Sequence, residues 1–215
     1  MNFFLLTLFF LATVNTQPTK TTTPSFGKTH FILGAPKQHY QNFAPTKQAN
    51  LPINNANKTT QVYFSHKDDL EKIICDCIGK ENEAISIALY SFTNGNLAQA
   101  LINFVKNNPK ASVSIITDKT YQHDRFSKIP QLAKTPRITV FVYAPTGKQK
   151  TLNNIMHHKF AIFEGQKKAC NGSLNWTHSG VKSNQENVVF FSDPLIIKEF
   201  KKEHSELLKK CTKLS

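Results

Sequence analysis

Arginine is scarce in this sequence, and so are acidic residues. Of 215 residues, 27 are Lys or Arg against 14 Asp or Glu, and only Arg125 and Arg137 are arginines. Lysine therefore carries almost all of the formal net charge of +13. A lysine attracts polyanions as a point charge, without the planar two-bond contact that arginine makes with phosphate. The charge alone leaves nucleic acid, anionic lipid and a merely solvated surface open.

The apolar run at the N terminus is too short to span a bilayer. It covers residues 3–14, about 12 residues against the ~20 that a membrane-spanning helix needs. Residues 1–16 contain no charged side chain, and Pro18 follows closely. This pattern predicts a signal peptide at 1–16 and an exported protein, periplasmic or extracellular. An uncleaved N-terminal membrane anchor is the alternative.

Cysteines are few, and their spacing is not typical of a metal site. Cys75 and Cys77 form a CxC pair, and Cys170 and Cys211 are isolated. On a helix the two thiols of CxC lie about 200° apart, so they cannot ligate one ion. Export would make all four candidates for disulfides, with three possible pairings. The sequence predicts a structural role for them and no bound metal or cofactor.

The chain divides into a polar arm and one folded domain. Residues 17–60 are rich in Thr, Pro, Asn, Gln and Lys without a sustained period, which predicts an extended or disordered arm. Residues 61–215 alternate strand and helix patterns. This alternation predicts an α/β domain with a mixed, largely parallel sheet flanked by helices on both faces. The predicted strands are 62–64, 84–92, 111–117, 138–143, 156–163, 169–171 and 187–191, and the predicted helices are 68–79, 97–106, 126–132 and 194–210.

Polar residues of several chemical types crowd into the stretch before the last predicted helix. Residues two apart on a strand share a face, so His157 and Lys159 point together, as do Ser173 and Asn175. Histidine can attack phosphorus, while the other three can donate to the oxygens on which charge concentrates. Glu186 could hold the imidazole in one tautomer. This set predicts a catalytic site for phosphoryl transfer.

These residues also carry a family resemblance. The pattern His157-x-Lys159 followed by Gly172-Ser173-x-Asn175 resembles the HxKxxxxD(x)GSxN signature of the phospholipase D superfamily. It is most similar to the single-motif branch, which includes bacterial Nuc-type endonucleases and mitochondrial cardiolipin hydrolases. The resemblance covers about residues 61–210, and further similar segments lie at 88–101, 113–121 and 184–191. It implies a phospholipase D-like fold and a metal-independent phosphodiesterase.

The resemblance also implies a dimer. Related enzymes use two such motifs, one histidine forming a phosphohistidine and the other protonating the leaving oxygen, whereas this chain has one motif and no internal repeat. A symmetric homodimer would bring two copies of His157 to one pocket. The acid after Lys159 is Glu164 where the family usually has Asp. The resemblance gives this position a supporting role outside the phosphate pocket, so we expect activity to survive.

Four further residues are candidates for supporting or substrate-binding roles. Lys148 and Lys150 lie in the polar, basic segment 144–154, which suits a rim of the site that contacts the phosphate backbone of a nucleic acid. Trp176 could stack on a base or lipid, with packing as the alternative. Asp118 ends a predicted strand, where α/β sites gather, although a turn or cap role is the alternative.

Three functions fit these observations. The first is an exported endonuclease with little sequence preference, drawn by lysine to the phosphate backbone. The second is a phospholipase D or cardiolipin hydrolase acting on anionic phospholipid. The third is an inactive module that binds polyanions. The basic balance, with no long apolar loop beside the motif, favours the endonuclease.

Overall fold

The computed structural model describes residues 60–122, 124–145 and 154–214. The predicted signal peptide at 1–16 lies outside these residues, as does the predicted arm at 17–60 apart from Thr60. Within these ranges the chain forms eight strands and five helices. The strands are β1 (Thr60–Phe64), β2 (Ala84–Leu89), β3 (Ser112–Asp118), β4 (Ile138–Tyr143), β5 (Lys159–Phe163), β6 (Lys168–Gly172), β7 (Asn187–Phe191) and β8 (Cys211–Lys213). The helices are α1 (Leu70–Gly79), α2 (Gly95–Asn107), α3 (Ile129–Ala133), α4 (His178–Lys182) and α5 (Pro194–Leu208).

All eight strands join one mixed sheet in the order β1-β7-β6-β5-β2-β3-β4-β8. The pairs β2–β3 and β3–β4 are parallel, and the other five neighbouring pairs in the described part are antiparallel. The predicted mixed sheet is confirmed, but the prediction that it is largely parallel is wrong. For β5 and β6 the reason is the short connection, because the four residues between them are too few for the crossover that parallel strands need.

Helices cover both faces of the sheet, as predicted. On one face lie α1 to α4, whose buried side chains share a core cluster with Ile87 and Ile115 of the sheet. On the other face α5 packs Ile197 and Leu207 against Phe160 and Ile162. Each fully buried side chain of this kind contributes roughly 1.5–3 kcal/mol to folding. The sheet is thus a rigid layer between two cores.

Side-chain caps fix where the longer helices begin. Asp69 accepts a hydrogen bond from the backbone N–H of Lys72 at 3.1 Å, and Asn94 accepts one from Leu97 at 2.9 Å. Asp193 does the same before α5. Such caps satisfy N–H groups that the first helical turn leaves unpaired. None of the helices in the described ranges is long and apolar enough to cross a membrane.

Most of the predicted catalytic residues lie at one edge of the sheet, where the strands end. The register places the ends of β1, β2, β3, β4 and β6 and the starts of β5 and β7 at this edge, which we call the upper edge. Lys159 pairs with Leu89 there, and Gly172 pairs with Val188. Segments distant in sequence therefore meet at the upper edge.

Candidate active site

His157 and Lys159 meet directly at the upper edge. The Lys159 Nζ lies 2.8 Å from Nδ1 of His157 and donates to the His157 backbone carbonyl at 2.6 Å. His158 turns the other way, with its Nε2 at 3.3 Å from Glu203 Oε1 on α5. The predicted alternation of side chains is therefore observed, although β5 begins only at Lys159.

The electrostatic environment favours a neutral imidazole. Partial burial and then the neighbouring Lys159 ammonium lower the pKa of His157. Burial also lowers the pKa of Lys159, against the opposing effect of the Glu186 carboxylate. A histidine with a lowered pKa is unprotonated at neutral pH and can serve as a nucleophile or base.

The contact with Lys159 also selects a tautomer. A lysine ammonium only donates hydrogen bonds, so Nδ1 of His157 accepts here and Nε2 carries the proton. Delivery of a proton from Nε2 to a leaving oxygen requires the imidazolium, in which both ring nitrogens are protonated. Attack through Nε2 needs the other tautomer, with Nδ1–H donated to an acceptor.

Ser173 and Glu186 form the second half of the site. The Ser173 hydroxyl donates to Glu186 Oε2 and accepts from the Asn187 backbone N–H at 3.1 Å. Glu186 Oε1 accepts from the side-chain amide of Asn184 at 3.2 Å. The prediction that Glu186 orients His157 is corrected, since within this chain the carboxylate holds Ser173 instead. Glu186 still acts on Lys159 through its charge.

Gly172 lets β6 and β7 approach closely beside Ser173. A Cβ at this position would lie far inside contact distance of the Asn187 carbonyl oxygen. The glycine of the Gly-Ser pair is therefore required by the close backbone, and this approach also brings the Asn187 N–H to the Ser173 hydroxyl.

Asn175 is held by its amide oxygen. Its Oδ1 accepts from the Ser91 backbone N–H at 3.3 Å, so Nδ2 is the group that can donate to a substrate. The adjacent Trp176 is 3% exposed, and its ring meets Phe92 edge-on with centroids 5.3 Å apart. The prediction that Trp176 binds substrate is corrected: it is a core residue, because its ring completes the packing beneath the site.

Asp118 positions the segment that carries His157. It is fully buried and accepts from the Met156 backbone N–H and the Thr120 backbone N–H, both at 2.8 Å. Two charge-assisted hydrogen bonds compensate part of the cost of burying a carboxylate. Asp118 thus connects the end of β3 to the residue next to His157.

Sequence reasoning missed Tyr90. Its ring centroid lies 4.5 Å from that of His157, and the Lys159 Nζ lies over the same ring at 5.4 Å. Tyr121 packs against it with centroids 4.6 Å apart. Tyr90 directly follows β2, and its position after a strand that ends at the upper edge was the available signal.

Together these contacts make a site whose donors suit a phosphate diester. An imidazole stands beside an ammonium, and a hydroxyl and a carboxamide lie on the adjoining strand end. Among the described residues, no group of three or more His, Cys, Asp or Glu side chains could hold a metal ion. The donors of the site are those that stabilise charge on phosphoryl oxygens.

A scan against known families identifies the same region. Residues 74–208 match the family described as cardiolipin synthase, PLD-like domain. The chain belongs to the phospholipase D superfamily. The predicted family is thereby confirmed.

Individual members of the phospholipase D superfamily show the extent of the similarity. The chain is 29% identical over 144 residues to the mitochondrial cardiolipin hydrolase of Chlamydomonas reinhardtii, a match that covers 67% of this chain and 60% of that protein. Among solved structures, NucT from Helicobacter pylori is 25% identical with a TM-score of 0.66, over 73% of this chain and 99% of that one. Nuc from Salmonella typhimurium, at 21% identity, has a TM-score of 0.62 over 73% of this chain and 98% of that one. These structures confirm the predicted phospholipase D-like fold.

The remaining predicted site residues lie elsewhere in this phospholipase D-like domain. Glu164 directly follows β5 and pairs with Lys201 of α5, roughly 17 Å along the strand from Lys159. This places it outside the pocket. Lys148 and Lys150 lie outside the described residues.

The four cysteines are free thiols, so the expected disulfide candidates are not paired in this structure. Burial raises the pKa of Cys77 to about 11 and that of Cys211 to about 11. Burial also raises the pKa of Cys170, whose side chain lies in the core. Thiols of this kind are poor nucleophiles at neutral pH, which fits a structural role.

Proposed function

We propose that this protein is a metal-independent phosphodiesterase that cleaves nucleic acid with little sequence preference. The observation that carries the proposal is the 2.8 Å contact between Lys159 Nζ and Nδ1 of His157, in a site where burial and this lysine lower the pKa of the imidazole. The nucleophile and a cation for the phosphoryl oxygens stand side by side in the family's motif.

The first chemical step forms a covalent intermediate. Nε2 of a neutral His157 that carries its proton on Nδ1 attacks phosphorus, the P–N bond forms, and the P–O bond to the leaving oxygen breaks. A second imidazole, protonated as the imidazolium, gives a proton to that oxygen and becomes neutral. Lys159, Ser173 and Asn175 donate to the non-bridging oxygens as charge builds on them.

The second step restores the enzyme. The second imidazole, now neutral, takes a proton from water, and the resulting hydroxide attacks phosphorus and breaks the P–N bond. This sequence needs one histidine as the nucleophile and one as the acid. A homodimer supplies the second copy, so we propose that two chains share one site.

Nucleic acid is favoured over lipid by the surface of the upper edge. The large exposed apolar residues there, Phe64, Phe126 and Ile155, lie on separate segments. The contiguous exposed pair Leu195 and Ile196 lies at the opposite edge, in the first turn of α5. Acyl chains need a continuous apolar surface beside the pocket, whereas a phosphate backbone needs dispersed cations.

Cardiolipin hydrolysis is the second candidate function. It is supported by the name of the Chlamydomonas reinhardtii relative, a mitochondrial cardiolipin hydrolase. A cationic surface would also attract an anionic bilayer.

One assay distinguishes the two functions. Purified protein in EDTA is given labelled single-stranded DNA, single-stranded RNA and cardiolipin vesicles in parallel. We expect cleavage of the nucleic acids and none by His157→Ala. Cleavage of cardiolipin alone would reverse the ranking, and loss of all activity in EDTA with recovery on adding metal would contradict the mechanism.

The shared site is tested by mixing chains. Wild type and His157→Ala are unfolded together in equal amounts and refolded, so that half of the dimers contain one chain of each kind. If each site needs both histidines, activity falls to about a quarter of the all-wild-type value. A value near one half would show that each chain works alone.

We also propose that the protein is exported. The uncharged, apolar residues 1–16 support this. N-terminal sequencing of protein recovered from the periplasm or medium should begin after this segment, and recovery of an intact N terminus in the membrane fraction would favour an anchor instead.

A further inference from the structure

Cations lie over aromatic rings at three places in the described part of the chain, all at the upper edge. The Lys159 Nζ over Tyr90 belongs to the pocket itself. The Arg125 guanidinium lies over the ring of Phe126 at 4.4 Å, and the Lys67 Nζ lies over the ring of Phe64 at 5.1 Å. The latter two pairs have no role in the chemistry described above.

Both outer rings remain accessible despite their cations. Phe126 is 58% exposed and Phe64 is 38% exposed. Single exposed apolar side chains are common on protein surfaces, so the exposure of these rings does not by itself indicate a ligand. The additional feature is the cation over each ring, which places an apolar face and a positive charge side by side. His66, also exposed, adds a further ring 5.9 Å from Phe64.

The loop that carries Phe126 is anchored to the active site at both ends. It leaves β3 at Asp118, which holds Met156, and it returns where the Lys128 N–H donates to the Phe92 carbonyl at 2.9 Å. The Phe126 backbone N–H is itself fixed by Asp124 Oδ1 at 2.8 Å. Phe126 therefore lies on a loop whose two ends are hydrogen-bonded to segments of the active site.

The turn that carries Phe64 is anchored on the other side. The next residue, Ser65, donates from its N–H to the Glu186 carbonyl at 3.0 Å and accepts from the Glu186 N–H at 2.9 Å. In the sheet order the catalytic strand ends lie between β1 and β3. The two aromatic–cation pairs thus flank the site.

The chemistry around Phe126 suits a single strand better than a membrane. Its loop neighbours are polar or charged: Lys119, Thr120, Gln122, Asp124, Arg125, Ser127 and Lys128. Insertion of one ring into a bilayer would bring these side chains into the interface, whereas interfacial segments present a continuous apolar face. A ring beside a cation matches the stacking of a base next to its phosphate.

We propose that Phe126 with Arg125 and Phe64 with Lys67 are two base-stacking platforms that hold single-stranded nucleic acid across the active site. This inference rests on the proposed nuclease function and extends it to a single-stranded substrate. The strands β1 and β3 are five positions apart in the sheet, which corresponds to ~24 Å. At about 3.4 Å per stacked nucleotide, roughly seven nucleotides cover this width of the sheet.

The test measures binding without cleavage, using full-length protein with His157→Ala as the parent. The probes are a labelled single-stranded dodecamer of thymidylate, the same dodecamer with abasic sugars throughout, and cardiolipin vesicles. Phe126→Ala and Phe64→Ala are added singly to the parent. Leu195→Ala is the matched control, because Leu195 is as exposed as Phe126, at 58%, but lies at the opposite edge.

We expect each Phe→Ala change to weaken binding of the thymidylate dodecamer about 5- to 150-fold, the range for one lost stacking contact. Binding of the abasic dodecamer should stay unchanged, since it offers phosphates but no bases. Phe126→Trp should restore binding, and Leu195→Ala should have no effect. Equal binding of both dodecamers by the parent and by the Phe→Ala variants would overturn the proposal.

A membrane role gives a different result. Loss of vesicle binding in Phe126→Ala, with thymidylate binding unchanged, would reassign the ring to lipid and reject the platform. The nuclease function and the stacking platforms are tested by different measurements. Cleavage by wild type tests the nuclease function, and binding by the His157→Ala variants tests the platforms. A wild type that cleaves no nucleic acid, while thymidylate binding still depends on Phe126, would reject the nuclease function and leave the platform standing.

Discussion

Lys159 Nζ and His157 Nδ1 lie 2.8 Å apart, so one lysine binds the imidazole and adds to the lowering of its pKa that burial causes. The same ammonium is available to phosphoryl oxygens at the mouth of the pocket. Because like charges repel, an imidazolium next to this lysine is disfavoured. The pair therefore keeps the histidine neutral before substrate arrives.

This relationship predicts the effect of Lys159→Met on His157. Removing the ammonium removes the repulsion, so the pKa of His157 should rise toward the usual value of about 6.5. Histidine ring signals followed by NMR across pH 4.5–8.5 would measure it. Lys201→Met is the control, since Lys201 pairs with Glu164 at the other end of β5. An unchanged or lower pKa in Lys159→Met would contradict the electrostatic account.

Truncation of the two adjacent histidines should have very different effects on activity. His157→Ala removes the nucleophile, and phosphodiesterase activity should fall by more than about 1,000-fold. His158→Ala removes only a side chain that faces Glu203 on α5 at 3.3 Å, and activity should change by a few-fold at most. Initial rates on bis(p-nitrophenyl) phosphate measure both variants without dependence on base stacking. Equal losses in the two variants would show that the assignment of roles is incorrect.

Gly172→Ala should disrupt the site through the backbone. The added Cβ would collide with the Asn187 carbonyl, so β6 and β7 must separate next to Ser173. We expect a loss of about 1–3 kcal/mol in the free energy of unfolding, together with reduced activity. Gly79→Ala is a suitable control, because a Cβ there meets nothing within 4 Å. Urea denaturation of both variants gives the comparison, and equal stabilities would refute the close approach.

Asp118→Asn should loosen the segment before β5. Asp118 accepts from Met156 and Thr120 with different carboxylate oxygens, whereas asparagine has one oxygen and would turn an NH₂ toward one of these donors. The free energy of unfolding should fall by about 1–3 kcal/mol. Because His157 follows Met156, kcat should fall more than KM rises. Thermal unfolding and steady-state kinetics test the two effects, and a variant with wild-type kcat would exclude the positioning role.

Local sequence patterns predicted most elements of the fold. The bounds of β4 and β7 agree with the predicted strands, and α1, α2 and α5 agree within a few residues. The short helix α4 and the three-residue strand β8 were not predicted. Segments this short contain too few residues for a period to be recognised.

By itself the sequence determined the family and the chemistry. His157, Lys159, Ser173 and Asn175 stand at fixed short spacings, and alternation along the chain is enough to place His157 beside Lys159. These relationships depend on neighbours in the chain, which a sequence displays directly.

The tertiary structure decided everything that depends on partners distant in sequence. Among the described strands, five neighbouring pairs are antiparallel, whereas a parallel majority was expected. The Glu186 carboxylate accepts a hydrogen bond from Ser173 and does not contact His157 within this chain. Trp176 is buried in the core. Tyr90 joined His157 across 67 positions of sequence only because β2 and β5 pair in the sheet. Contacts between residues distant in sequence depend on which strands pair and on how side chains of the whole domain pack together. A local sequence pattern contains no information on these contacts.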